Sequence, residues 1–208
     1  MDPRIRVATP ADGAALAAIY APAVQERATS FEIDAPDADE MAHRVARLTA
    51  HTPWLACEHR GRVLGYAYAS PHRDRPAYRW SVEVSAYVHP DARRAGVARA
   101  LYTALFAVLT RQGFRNAYAG ITLPNDASVA MHRAVGFTDV GIYHGVGYKL
   151  GAWHDVAWLE RVLAPRTSEA SPPVPLSDLG DGPELDALLA LGLPQLHPRD
   201  DAARGAPR

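Results

Sequence analysis

The chain has 208 residues, of which 48% are hydrophobic and 22% are charged, and its formal net charge is −1 at pH 7. This composition is typical of a globular chain of ordinary domain size and excludes a disordered or fibrous protein. The nearly neutral charge gives no reason to expect nucleic acid or an anionic membrane as a partner.

The cysteine and hydropathy patterns indicate a cytoplasmic protein. Cys57 is the single cysteine, so an internal disulfide is excluded. The longest apolar run near the N-terminus, residues 14–24, contains Pro22 and follows Asp12, which fits neither a signal peptide nor a membrane span.

Hydrophobic periodicity predicts the order β-α-α-β-β-β-α-β-α-β-β along the chain. The strands are predicted over 4–8, 53–59, 62–70, 78–88, 117–123, 138–150 and 154–161, and the helices over 13–27, 37–50, 96–113 and 126–136. Such an order favours the α+β class, with a mixed, mostly antiparallel sheet flanked by helices.

Composition changes at Pro165, and from this residue onward the chain holds eight of its 17 prolines. We expect a working domain over residues 1–163 and a Pro-rich, mobile tail over residues 164–208 that buries little. The stretch "PELDALLALG" in this tail could form one short helix, docked on the domain or not.

The stretch "RRAGVARALYTAL" begins at Arg93 and leads into the helix predicted over residues 96–113. A helix N-terminus exposes unpaired N–H groups that attract phosphate, and Arg93, Arg94 and Gly96 lie just there. The pattern is compatible with a pyrophosphate site, but two solvated arginines and a turn glycine would look the same. The longer phosphate loop that ends in Gly-Lys-Ser/Thr does not occur.

The strand before this loop carries Glu83 among apolar neighbours. Alternation places Val82 and Val84 on one face and Glu83, Ser85 and Tyr87 on the other. A carboxylate in the middle of a central strand is costly unless it is hydrated, paired or useful. Glu83 is therefore either a solvent-facing residue or a candidate general base.

Several motifs together resemble a known family. The stretches "YVHPDARRAGVARALY" and "LPNDASVAMHRAVGF" resemble the GNAT superfamily of N-acetyltransferases. Within it, "PWLACEHRGRVLGYAYAS", "AYRWSVEVSAYV", "ITLPN", "SVAMH" and "GAWHDV" resemble the phosphinothricin acetyltransferase branch. The resemblance covers about residues 4–162 and leaves the tail outside.

The resemblance implies a reaction, its substrates and an assembly. Acetyl-CoA would be the donor, with no metal, and the acceptor would be the primary amine of a small amino acid analogue of the phosphinothricin or methionine sulfoximine/sulfone type. Attack would be direct, in a ternary complex, and the branch is associated with antibiotic or herbicide resistance. A homodimer is the usual assembly.

The resemblance also assigns roles by position. Glu83 would be the base and His132 the proton donor to the departing thiolate. Cofactor binding would fall to Ala86, Tyr87, Val88, Arg93, Arg94, Ala95, Gly96, Val97, Ala98 and Asn125. Acceptor binding would fall to Phe31, Arg75, Tyr78 and Tyr102. Ala98 departs from the glycine that is commoner at its position.

Two other functions stay open from the sequence. The chain could be a non-catalytic, acyl-CoA-binding regulatory module, or an acetyltransferase for an unrelated amine. The presence of both Glu83 and His132 favours an enzyme, because a sensor needs only the arginine-glycine loop. Taken alone, His132 would more often be a structural histidine, and the nine histidines show no metal-ligand spacing. Whether Glu83 would act directly or through water is also open.

Overall fold

The computed structural model describes residues 2–168 and 171–197. Seven strands form one sheet with the order β1-β2-β3-β4-β5-β7-β6. The neighbours β4 and β5 are parallel, and the other five neighbouring pairs are antiparallel. The strands are β1 Arg4–Val7, β2 Trp54–His59, β3 Arg62–Pro71, β4 Ser81–Val88, β5 Asn116–Thr122, β6 Thr138–Lys149 and β7 Ala152–Val162. The predicted fold class is confirmed.

Four predicted helices are present and a fifth follows them in the C-terminal segment. They are α1 Gly13–Gln25, α2 Ala38–Thr49, α3 Val97–Gln112, α4 Asp126–Ala134 and α5 Pro183–Ala190. Helix α3 begins after Gly96 (φ 76°) and ends before Gly113 (φ 100°), conformations that favour glycine. Across the described residues, no helix is both long and apolar enough to cross a membrane.

The predicted strand over residues 78–88 is shorter than expected. Residues Pro76–Tyr78 form a single 3₁₀ turn, and β4 starts only at Ser81. Proline has a fixed φ and no N–H to donate to a strand, which favours this turn over an earlier start of β4. The alternation within β4 is as predicted, because Val82 and Val84 are buried and Glu83 is part-exposed.

Each face of the sheet carries its own apolar core. On one face, α3 packs with its predicted inward residues, Val97, Leu101, Ala104 and Val108, all at most 2% exposed. On the other face, α1 and α2 cover Trp54 and Tyr66. Strand β4 passes between both cores, so consecutive side chains of this strand enter different environments.

The C-terminal segment, residues 171–197, packs against the domain, which differs from the expectation that it buries little. Leu176, Leu185 and Leu189 are 5–6% exposed and belong to the core cluster that contains α3. Three leucines supply this burial despite the prolines, because a short helix and turns are enough to dock them. The expected tail extends to residue 208, and residues 169–170 and 198–208 lie outside the described residues.

Backbone bonds also attach this segment. Val174 donates its N–H to the Gln112 carbonyl, while the Gln112 side chain donates to the carbonyls of Val174 and His51. Near the other end, the N–H of His197 donates to the Ala95 carbonyl at 2.9 Å. The segment therefore contacts both ends of α3. Whether residues 1–163 fold without it stays a prediction.

Candidate active site

The sheet opens between its two parallel strands. β4 and β5 pair only at Ser81–Asn116, Val82–Ala117 and Glu83–Tyr118. Beyond Glu83, β4 continues to Val88 and β5 to Thr122 without pairing to each other. Their facing backbone groups are therefore left for a ligand to bind, because extended backbone carries a donor and an acceptor at each residue.

A cleft of about 330 Å³ lies at this opening. Residues 84–88 of β4 form one wall, and residues 120–122 of β5 with α4 form the other. Arg93 also lines the cleft, and α1 contributes Ile19 and Ala23. Of the sequence-predicted site residues, the cleft is lined by Ala86, Tyr87, Val88, Arg93, Tyr102, Asn125 and His132.

The loop predicted to bind phosphate turns sharply into α3. Arg94 (φ 62°) and Gly96 (φ 76°) adopt left-handed conformations that turn the chain into α3. The amides of the first turn of α3 have no intrahelical acceptor and carry the positive end of the helix dipole. Ala95 and Val97 are buried beneath the loop, so they position its backbone and do not themselves line the cleft.

Asn125 has a structural task that places it at the cleft. Its side-chain oxygen accepts from the Ser128 N–H and so caps α4. A capping asparagine is held at the helix start, which fixes its position beside the β5 wall.

Glu83 lies at the last paired position, one residue before the first β4 residue that lines the cleft. Its side chain is 33% exposed. His72 Nδ1 lies 3.1 Å from Glu83 Oε1, and Arg73 Nη1 donates to the same oxygen at 3.0 Å. The carboxylate is therefore held in place at the fork of the two strands.

Sequence analysis missed His72 and Arg73. Both follow β3 in a loop with no hydrophobic period, and their contact with Glu83 depends on the register that places Ser70 opposite Glu83. The sequence does offer one signal. His72 and Arg73 directly follow β3, and two strands that follow each other along the chain often pair, which would bring these residues close to β4.

His132 is buried on α4 and contacts Tyr102 of α3 at the wall of the cleft. Its Nδ1 lies 2.8 Å from the Ser128 carbonyl, and its Nε2 lies 3.1 Å from the Tyr102 hydroxyl. A carbonyl only accepts, so the neutral ring carries its proton on Nδ1 and Nε2 accepts from Tyr102. Burial disfavours the charged form of each group, so it lowers the pKa of His132 and raises the pKa of the Tyr102 hydroxyl.

The four predicted acceptor residues are not brought together in the same way. Tyr102 lines the cleft, whereas Arg75 and Tyr78 line a neighbouring groove of about 540 Å³ beside residues 172–175. The ring centroids of Tyr78 and His72 are 6.0 Å apart, and His72 in turn contacts Glu83. Phe31 covers Gly147, outside the cleft.

Cys57 is fully buried in β2, in the core on the α3 side of the sheet. Burial raises the pKa of its thiol to about 12. The thiol is protonated at neutral pH and inaccessible, so it does not serve as a nucleophile.

These features suit one class of protein: one that binds an extended ligand between two separated parallel strands and places titratable groups beside it. A family model described as an acetyltransferase (GNAT) domain matches residues 5–158. The phosphinothricin N-acetyltransferase of Streptomyces viridochromogenes is 40% identical over 157 residues, covering 76% of this chain and 86% of that protein. The L-methionine sulfoximine/L-methionine sulfone acetyltransferase of Salmonella typhimurium is 36% identical over 160 residues, covering 76% and 94%.

A solved structure agrees with these sequence matches. The phosphinothricin acetyltransferase of Sinorhizobium meliloti, crystallised with acetyl-CoA, has a TM-score of 0.77 and 36% identity, covering 85% of this chain and 99% of that chain. The chain belongs to the GNAT acetyltransferase family. The resemblance stated from the motifs is thereby confirmed.

Proposed function

We propose that the protein transfers an acetyl group from acetyl-CoA to the primary amine of a small amino acid analogue. The observation that carries this proposal is the separation of β4 and β5 directly after Glu83. It leaves an unpaired strand edge in the wall of a cleft that Arg93, Tyr102 and His132 also line, with Glu83 one residue before that wall begins. The names of the relatives support phosphinothricin or methionine sulfoximine/sulfone as the type of acceptor.

In this proposal the cleft binds the donor along its length. The amides before and within the first turn of α3, with Arg93 and Arg94, meet the pyrophosphate. The backbone of Ala86, Tyr87 and Val88 pairs with the pantetheine arm, and Asn125 binds further along it. Backbone amides suit this task because the arm carries amide groups of its own, which pair as a strand would.

The chemistry then needs a base and a donor. Glu83 takes a proton from the acceptor ammonium, directly or through water, because an ammonium has no lone pair for attack. The free amine attacks the thioester carbonyl, and an amide of residues 86–88 stabilises the developing charge on its oxygen. His132 delivers a proton to the departing sulfur: the lone pair on its Nε2 first takes up the second proton of the attacking nitrogen and then passes it on, directly or through the Tyr102 hydroxyl bonded to it. Positioning of both reactants supplies much of the rate.

A thiol-release assay tests the proposal. The protein is incubated with acetyl-CoA and a panel of amines that contains phosphinothricin, methionine sulfoximine, methionine sulfone and ordinary amino acids. We expect release of free thiol that depends on one of the analogues. Tight binding of acetyl-CoA in calorimetry with no thiol release from any amine would instead indicate a non-catalytic binding module.

We further propose a homodimer in the cytoplasm. Strand β6 forms an edge of the sheet, and several of its large apolar side chains and one on β7 are 48–70% exposed. They are Val140, Ile142, Tyr143, Val146, Tyr148 and Trp153. A second copy would cover this surface, which a monomer rarely leaves exposed. Light scattering at increasing concentration tests it, and a monomer at every concentration would contradict it. The use of acetyl-CoA supports the location.

A further inference from the structure

The ring of His72 crosses over β4 next to the proposed base. His72 follows the end of β3, and its ring stacks on Tyr118 of β5, with centroids 4.4 Å apart and planes at 21°. In the sheet, Glu83 pairs with Ser70 on one side and with Tyr118 on the other. The His72 side chain therefore reaches from the end of β3 over β4 to Tyr118 on β5, and the stack fixes its ring.

The hydrogen bond between His72 and Glu83 has a defined direction. An ionised carboxylate only accepts, so His72 donates from Nδ1 and carries its lone pair on Nε2. The side chain of His72 is 13% exposed, and burial together with the charge of Arg73 lowers the pKa of His72. The ring is neutral at neutral pH and donates without adding a charge.

Both protein donors bind the same oxygen of the carboxylate. His72 and Arg73 contact Oε1, and within the described part of the chain no hydrogen bond to Oε2 of Glu83 is found. The Arg73 side chain is 46% exposed, so its bond competes with water and is weakened by salt. The bond from the less exposed, stacked ring is the better-fixed one.

We propose that His72 is a positioning residue for Glu83: its Nδ1–H holds Oε1 so that Oε2 is the basic atom offered to the acceptor amine. The proposal rests on the proposed function for its meaning in catalysis. Histidine suits the position because it combines a flat ring for the stack with a neutral donor. A lysine or arginine there would add a charge that makes the carboxylate a weaker base.

The surroundings of the ring bear on any pH effect. The titratable and charged groups facing His72 are Glu83 from β4, Arg73 from the same loop, Tyr78 from the 3₁₀ turn and Tyr118 from β5. Trp158 of β7 faces the ring edge and does not titrate. Glu83 is thus the acidic partner of the ring among the described residues.

Two substitutions separate the ring from its donor. His72→Phe keeps a ring for the stack and removes Nδ1–H, whereas His72→Asn can place an amide donor near the position of Nδ1. We expect His72→Phe to lower kcat by about tenfold to a hundredfold, the range for one bond to a charged group, with the KM for acetyl-CoA unchanged. His72→Asn restores most of the rate. His144→Ala, which removes the bond of another histidine to Asp155 outside the cleft, is the matched control and leaves kcat unchanged.

The pH profile adds a readout that a merely structural role would not move. The acid limb of kcat/KM shifts to higher pH in His72→Phe, because a carboxylate that loses a donor takes up a proton more readily, and returns towards wild type in His72→Asn. An unshifted limb and full turnover in His72→Phe would overturn the proposal. So would a His72→Asn variant as impaired as His72→Phe.

A measurement without substrate keeps this inference separate from the proposed function. In NMR titrations of the free protein, Glu83→Gln should lower the pKa of His72 further, because the carboxylate favours the protonated ring. An unchanged His72 titration would refute the pairing even in an active enzyme. A wild-type protein that shows the pairing but acetylates no amine would refute the proposed function alone.

Discussion

Helix α3 contacts two regions that are built differently. Through Tyr102 it faces the cleft, where the strands are unpaired and polar groups surround open space. Through Gly96, Ala100 and Arg111 it contacts the C-terminal segment, where leucines and backbone bonds fill the space. In the first region, backbone and side-chain groups are left without partners and are available to a ligand. In the second region, such groups bind other parts of the same chain. Changes in the cleft should therefore alter rate and affinity, and changes in the segment should alter stability.

The largest effect is expected at Glu83. Glu83→Gln keeps the shape of the side chain but removes its basic lone pair, so turnover should fall by about 10²–10⁴-fold while acetyl-CoA binding is retained. Steady-state kinetics across pH would show a wild-type rate that rises through an ionisation absent from the variant. High pH should partly rescue the variant, since more amine then arrives deprotonated. Equal rates at neutral pH would make the carboxylate a bystander.

His132→Phe comes next, with turnover lowered by about tenfold to a hundredfold and cofactor affinity close to wild type. Thiol-release kinetics and calorimetry measure the two quantities, and Tyr102→Phe tests whether the hydroxyl shares the role. Normal turnover in both variants would return His132 to a structural role.

The same residue makes a prediction on stability. Burial lowers the pKa of His132 below its ordinary 6.5. Between the folded-state pKa and about pH 6.5, the unfolded chain therefore binds more protons than the folded one. The stability contributed by the neutral ring is present above pH 6.5 and is lost as the pH falls through the folded-state pKa. The Tm of the wild type should therefore fall more between pH 7 and 5 than the Tm of His132→Phe. Parallel Tm curves would contradict this.

Replacing Arg93 and Arg94 together by alanine should act on affinity and little on turnover. Loss of two charges at the start of α3 should raise the KM for acetyl-CoA about tenfold and change the acceptor KM less. Calorimetry with acetyl-CoA checks the effect directly. Unchanged affinity would contradict the proposal that this loop binds the pyrophosphate.

The smallest effect on turnover is expected in the C-terminal segment. Leu185→Ala with Leu189→Ala removes buried side chains, each worth about 2–5 kcal/mol in a well-packed core, and should lower the Tm with kcat unchanged. The sequence alone predicts that a chain cut after Ala164 is folded and active, whereas the packing predicts a lower Tm. A truncated protein with wild-type Tm would show that the segment adds nothing to the fold, and a lowered kcat in the double variant would break the contrast between the two regions.

Local patterns were enough to predict the strands, the helices and the two faces of β4, because period and burial are written into neighbouring residues. The roles of Glu83 and residues 93–98 were suggested by their places in the strand and at the helix start, the role of His132 came from motif resemblance, and all three are still predictions. His72 escaped because its partner is distant in sequence and close only through strand register. The docking of Leu185 and Leu189 was not predicted, because the leucine-rich stretch between Pro183 and Pro194 does not show which surface will accept it.

The separation of β4 and β5 also has a consequence for the ligand-free protein. An unpaired strand edge ordinarily invites another chain to add to it, and this edge lies inside the sheet, flanked by α1 and α4. A ligand bound there would supply hydrogen-bond partners to this edge, as a neighbouring strand does elsewhere in the sheet. Those amide hydrogens of residues 84–88 that point away from β3 should then exchange slowly with solvent only when the cleft is filled, and the melting temperature should climb with ligand concentration by mass action. In this view the bound ligand takes the place of the strand pairing that is missing between β4 and β5.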